Sequence, residues 1–153
     1  MVKVIIIYES KYGNTKLVAE SIAEGIREAS DLQITLHELK EVDLKQPLDV
    51  DVLLIGSPNH IGRQTRGIKK FIDKLGKLDL TGKQVAVFDT YIGRDYEKAV
   101  KKMEKQIGDK IPGLKFLAPG LSIRVKGIKG PIEEGELPKC KEFGRKIATQ
   151  LAT

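Results

Sequence analysis

Six consecutive residues near the start of the chain, Ser10-Lys11-Tyr12-Gly13-Asn14-Thr15, carry the groups that hold an anion. Hydroxyls at Ser10 and Thr15, a glycine and a run of backbone N–H groups stand where a helical pattern begins. The amides at a helix N-terminus point outward unpaired and attract phosphate or carboxylate. An ordinary helix start uses the same residues, with Asn14 or Thr15 as the N-cap and nothing bound; taken alone, the loop leaves both readings open. It has neither G-x-G-x-x-G nor G-x-x-x-x-G-K-[ST], which argues against a dinucleotide fingerprint and a nucleoside-triphosphate loop.

Two later stretches also carry chemistry. In Gly56-Ser57-Pro58-Asn59-His60-Ile61-Gly62, Ser57 and Asn59 offer hydrogen bonds and Pro58 stiffens a turn; a surface turn with no ligand reads the same way. In Asp89-Thr90-Tyr91-Ile92-Gly93, Tyr91 offers an aromatic face, either to a ligand or to a neighbouring helix. Asp89 either points inward as a charge or caps the loop or the helix beyond.

The elements that must position these loops follow from periodicity. Val2–Tyr8 is a nearly continuous, β-branched apolar run, as in a strand buried on both faces. Val18, Ile22, Ile26 and Ala29 mark one stripe of a helix from Thr15 to about Ala29. Strands are expected at Leu32–Leu39, at Asp51–Ile55 ending on Gly56, at Lys83–Phe88, and as a fifth between Leu114 and Val125. Ile68, Phe71, Ile72 and Leu75 predict a short helix stopped by Gly76. Asp95 is placed to cap a third helix with Tyr96, Ala99, Val100, Met103 and Ile107 on its core face. A last helix runs from about Glu136, with Leu137, Cys140, Ile147 and Leu151 aligned. The second crossover is short or displaced near Leu39–Leu48.

Alternating β and α segments of this kind predict an α/β protein: a three-layer sandwich with a parallel sheet and right-handed crossovers that put helices on both faces. Ligands of such sheets bind beyond the carboxyl ends of the strands, where the strand order reverses. The three loops above follow strands one, three and four. No composition shift or linker divides residues 1–153, so one domain is expected; at this length it buries roughly 70 % of its unfolded surface.

Composition narrows the classes further. The single cysteine forbids an internal disulfide and a cysteine-based metal centre, and no metal site is expected. Hydrophobic residues are 41 % and charged residues 31 % of the chain, as in a globular domain. The first apolar run is too short for a signal peptide or a bilayer span, so a cytoplasmic protein with no membrane insertion is expected. The net charge of +6 comes from lysines interleaved with glutamates, as in Lys98 to Lys105. That pattern, with only 5 % aromatics and no Trp, points to solvated helix faces and away from nucleic acid.

Tyr8-Glu9-Ser10-Lys11-Tyr12-Gly13-Asn14-Thr15 resembles the phosphate loop of the flavodoxin superfamily, and Gly56 to Gly62 is similar in spacing to its Gly-[ST]-Pro-x-x-x-Gly loop. The form seen here looks most like flavodoxin modules of flavodiiron proteins and of quinone reductases related to the Trp-repressor-binding protein. The resemblance covers essentially the whole chain and implies a short-chain flavodoxin-like fold, with a five-stranded parallel sheet in the order 2-1-3-4-5. It implies FMN as cofactor, with its phosphate at Ser10, Asn14, Thr15 and the amides of residues 11 to 15, Lys11 adding charge or pointing into solvent. By the same resemblance Ser57, Pro58, Asn59, His60, Ile61 and Gly62 pack along the isoalloxazine ring. Asp89, Thr90, Tyr91 and Gly93 flank it on the other side, Tyr91 beside the ring and backbone amides toward the pyrimidine edge.

The function this implies is electron transfer to redox partner proteins, of acidic surface if the basic charge is used in docking, without substrate chemistry of the chain's own. An NAD(P)H-dependent FMN quinone or flavin reductase is the alternative. A third reading is a module that kept the fold and lost the flavin. Three features depart from the pattern: the chain is basic, it has no Trp, and its second loop is that of the relatives of the best-known flavodoxins.

Overall fold

The computed structural model describes residues 2–46 and 48–151. The first strand, β1 (Lys3–Tyr8), is buried from Val4 onward. Its side chains alternate between two cores, as the period of a strand requires. Val4, Ile6 and Tyr8 face one side of the sheet, and Ile5 and Ile7 face the other. Each isoleucine so buried contributes roughly 1.5–3 kcal/mol.

The remaining strands are β2 (Gln33–Glu38), β3 (Val52–Pro58), β4 (Gln84–Tyr91), β5 (Lys115–Phe116) and β6 (Leu121–Arg124). All pair in parallel, in the order β2-β1-β3-β4-β5, with β6 also on β4. Helices α1 (Asn14–Ala29) and α4 (Leu137–Leu151) cover one face, and α2 (Arg66–Leu75) and α3 (Lys98–Lys110) the other. Gly25 and Gly144 lie against the backbone of the facing helix, at Lys141 and Ile22, so α1 and α4 approach too closely for a side chain at either position. Cys140 is buried between α4 and the sheet, and burial pushes its thiol up to about 12, so it stays protonated.

Four expectations are corrected. The third strand does not end at Gly56 but continues through Ser57 and Pro58, paired with Asp89 and Thr90. Gly56 sits there because the Phe88 ring occupies the space a Cβ would need. The fifth strand is two pieces, because four residues separate Phe116 from Leu121 where β4 has two between their partners Val85 and Phe88. The excess bulges out at Pro119-Gly120, tied down by the Gly120 N–H on Glu104 at 3.1 Å.

Helix α3 begins at Lys98 with Glu97, not Asp95, at the cap position, because Glu97 adopts a left-handed backbone (φ 61°) that turns the chain just before it. Tyr96 therefore points outward, 59 % exposed, and is not on the core face. Among its described residues the β2–β3 crossover holds one 3-10 turn, Leu39–Glu41, closed by a reciprocal Glu38–Glu41 capping box. A short or displaced helix was expected over Leu39–Leu48, and the structure has the short form; Pro47 lies outside the described residues, and the others form no helix beyond that turn.

Candidate functional site

Beyond the carboxyl ends of β1, β3, β4 and β6 lies a cleft of about 310 Å³. Loop one enters α1 through Gly13, whose φ of 91° is one that a side chain would strain. With Gly13 as N-cap there is no local capping side chain, and Ser10 supplies the cap from outside the helix. Its Oγ accepts the N–H of Gly13 at 3.1 Å and of Lys16 at 3.3 Å. An oxygen that accepts twice still has its own proton to give, so the Ser10 hydroxyl is free to donate to an anion. The amides of Lys11, Tyr12, Asn14 and Thr15 carry no hydrogen bond to another described residue. The macrodipole of the sixteen-residue α1 adds positive potential at the same point.

Loop two is built around its own backbone. The Asn59 N–H donates to the Thr90 carbonyl at 2.8 Å, fixing loop two to loop three. His60 and Arg63 exchange backbone hydrogen bonds at 2.7 and 3.2 Å around Ile61 (φ 52°) and Gly62 (φ 78°). Two positive φ values in a two-residue turn make this a type I′ hairpin. The Asn59 side chain closes it, accepting the Gly62 N–H at 2.8 Å and donating to the Asp95 carbonyl at 3.3 Å.

Loop three carries Thr90 and Tyr91 into the cleft. The Thr15 and Thr90 hydroxyls are 3.0 Å apart in a buried position. Tyr91 is buried, which raises its phenol above the ordinary value, and Tyr96 packs edge-on against it at 5.6 Å between ring centres. Asp95 faces the cleft and pairs with Lys98 at 3.1 Å.

Of the residues singled out from sequence, Ser10, Lys11, Tyr12, Asn14, Thr15, Pro58, Asn59, His60, Ile61, Thr90 and Tyr91 line the one cleft. Five do not line it. Gly13, Gly62 and Gly93 shape the loops through positive φ. The buried Ser57 hydroxyl is spent inside loop two: it donates to the Pro58 carbonyl at 2.9 Å and accepts the Thr65 N–H at 3.0 Å.

Asp89 is turned away from the cleft. Its carboxylate accepts the Val100 N–H at 3.0 Å and the Ser122 hydroxyl at 2.5 Å, capping α3 from the neighbouring strand. Burial, the largest influence, raises its carboxyl from an ordinary value near 3.8 to about 6, against the opposing hydrogen bonds.

The sequence reading missed Ile92, Asp95 and a fourth wall made by Val125, Gly127 and Ile128. The turn residues Gly127, Gly130 and Pro131 after the last strand were its available signal. Gly130 (φ 98°) leaves room for the Asn14 side chain, which fills the place a Cβ would take.

The flavodoxin-domain family profile matches residues 5–125. The chain belongs to the flavodoxin family. It is 30 % identical to a flavodoxin of Aquifex aeolicus, with 99 % of this chain and 88 % of that protein covered. It is also 30 % identical to the type A flavoprotein fprA of Rhodobacter capsulatus, over 96 % of this chain but only 33 % of that longer protein. Among solved structures, a flavodoxin from the domain Archaea superposes with a TM-score of 0.83 at 26 % identity, covering 99 % of this chain and 100 % of that one.

Flavodoxins are FMN electron-transfer proteins, and the cleft fits that group. Its phosphate end offers free amides, a donor hydroxyl and a helix N-terminus at Ser10 to Thr15; the remainder is lined largely by apolar and aromatic surface from Pro58, Tyr91, Ile92, Val125 and Ile128. When bound, FMN supplies the electron-accepting and electron-donating centre, and the protein contributes position, electrostatics and access. No described helix is long and apolar enough to cross a membrane.

Proposed function

We propose that this flavodoxin-family chain is an electron carrier that docks acidic redox proteins at the mouth of its FMN cleft, with no substrate of its own. In this reading Ser10, Thr15 and the amides of Lys11, Tyr12 and Asn14 hold the phosphate, while Pro58, Asn59, His60 and Tyr91 flank the ring.

The observation that carries the proposal is the composition of the mouth. Ile61 is 96 %, Ile128 70 % and Tyr96 59 % exposed, all at or beside the cleft. Exposed apolar side chains gathered at one site mark a contact surface. Around them stand the exposed Lys11, Arg63 and Arg94, which form no ion pair with a described residue. The nearby carboxylates Asp95 and Glu97 are engaged with Lys98 and Lys101. Unpaired cations around an apolar patch steer acidic partners and raise their association rate.

Stepwise reduction of the FMN-loaded protein, followed by visible spectroscopy, tests this reading. Two resolved one-electron stages, no bleaching by NADH alone, and electron transfer to acidic partners that slows with added salt are the expected results. Steady oxidation of NAD(P)H with a quinone and no added reductase would establish the reductase instead. Failure to rebind FMN after stripping would overturn both.

A further inference from the structure

A second concave surface lies outside the FMN cleft, between α2 and the β2–β3 connection, and encloses about 520 Å³. Among its described residues this crossover holds no α-helix, only the 3-10 turn Leu39–Glu41. A doubly wound sheet covers each face with crossover helices, yet here the chain runs from Glu41 to Val52 with no helix among its described residues. The floor is apolar, from Leu39, Val42, Leu44, Phe71 and Leu78. Four lysines stand over it: Lys70 and Lys74 one turn apart on α2, Lys77 just past the helix end, and Lys45 on the opposite wall. All four are exposed, and none forms an ion pair with a described residue. The one carboxylate of the lining, Asp43, is bonded to the Lys45 backbone N–H at 2.9 Å.

We propose that this groove is a docking site for an acidic amphipathic helix of a protein partner, which lays apolar side chains on the Leu39–Leu44–Phe71 floor and carboxylates against the lysines of both walls. Helix-in-groove recognition needs an apolar trough that a helix can reach into and flanking charge that fixes its register, and both are present. A membrane surface fits less well. The floor side chains are half-buried or buried while the four lysines of the lining are exposed, so a flat apolar surface meets charge before it meets the floor. A second copy of this chain is a poor source of acid as well. It carries a net charge of +6, and Glu24 and Glu28 on α1 are already neutralised by Lys141 and Arg145 of α4.

The test uses the FMN-loaded full chain, labelled with ¹⁵N, and a synthetic helical peptide with leucines on one face and glutamates on both flanks. The expected result is saturable shifts of the amides of Lys70, Phe71, Lys74 and Leu78. Binding should weaken at least about tenfold when the glutamates are replaced by glutamines or in K70E/K74E. Neither lysine lines the FMN cleft, so K70E/K74E should keep the flavin spectrum and FMN affinity; that control separates a failure here from a failure of FMN binding. No shifts up to about 1 mM peptide, or equal binding of the glutamine peptide, would overturn the proposal. So would binding only to anionic phosphatidylglycerol vesicles, or sedimentation showing that the groove is covered by self-association.

Discussion

The side-chain hydroxyls of Thr15 and Thr90 meet at 3.0 Å, seventy-five residues apart in sequence and both buried. Through this contact the first turn of α1 is locked to the end of β4, so the loop offered to the phosphate and the loop offered to the ring share one support. Replacing one hydroxyl strands the other in a buried position, at a cost of about 1–3 kcal/mol. Thr90→Val is therefore expected to lower stability by that amount. The double variant T15V/T90V should fall less than the sum of the single changes. Urea denaturation of all four proteins measures the coupling, and FMN titration should show T15V weakened more than T90V, since Thr15 stands at the phosphate.

Ile61 sits in a left-handed backbone at φ 52° with 96 % of its surface exposed. A β-branched residue strains there, and no burial compensates. Asn followed by Gly is the pair that a type I′ turn prefers, and Gly62 is already in place. Ile61→Asn is expected to stabilise the FMN-free protein by about 1 kcal/mol in chemical denaturation. If Ile61 is a docking contact, the same variant should transfer electrons to an acidic partner more slowly.

Gly130 and Asn14 define the fourth wall. At φ 98°, and with the Asn14 side-chain oxygen 2.6 Å from where a Cβ would stand, Gly130→Ala must move Asn14 or the loop. The expected outcome is FMN affinity reduced about tenfold or more, read by flavin fluorescence, with far-UV dichroism unchanged. Gly108→Ala, at an exposed position of α3 outside the cleft lining, serves as the control, since a Cβ there meets nothing within 4 Å.

These residues also show how far the sequence could be read. The continuous apolar run of β1 and the helical stripe of Val18, Ile22 and Ile26 are local signals, so the layers were legible from the residues themselves, while the strand order followed only from the resemblance of the loops to the flavodoxin superfamily. So were loops one and three, because a hydroxyl-rich segment at a helix start and a tyrosine at a strand end carry their chemistry in their own residue types. What was not legible depended on distant partners. The break between β5 and β6 is set by register on β4, and the late start of α3 by the left-handed turn at Glu97. Ser57 looked like a ligand group, and only the fold reveals that Thr65 and Pro58 consume it. Val125 to Ile128 reach the cleft because β6 pairs with β4; the turn residues there mark a loop, and only the pairing places that loop at the cleft.

Asp89 allows the sharpest pH test. In the folded chain its carboxyl titrates near 6, against an ordinary value near 3.8, and its neighbours are the Ser122 hydroxyl, the Val100 amide and the Glu97 carboxylate. Between those two pH values the folded chain holds a proton that the unfolded chain has released. Linkage then requires stability from this group to be full below about pH 4, to decline as pH rises, and to be lost above about pH 6. The span is on the order of 3 kcal/mol. Asp89→Asn mimics the protonated form in shape and charge, so it removes the titration while keeping one acceptor and a donor for the cap. Stability of the variant relative to the parent is expected to rise by that amount between pH 4 and pH 7, measured by urea denaturation of the FMN-free proteins. A difference that stays constant across the window would show that the carboxylate remains charged throughout, held by Ser122 and the α3 N-terminus more strongly than burial opposes it.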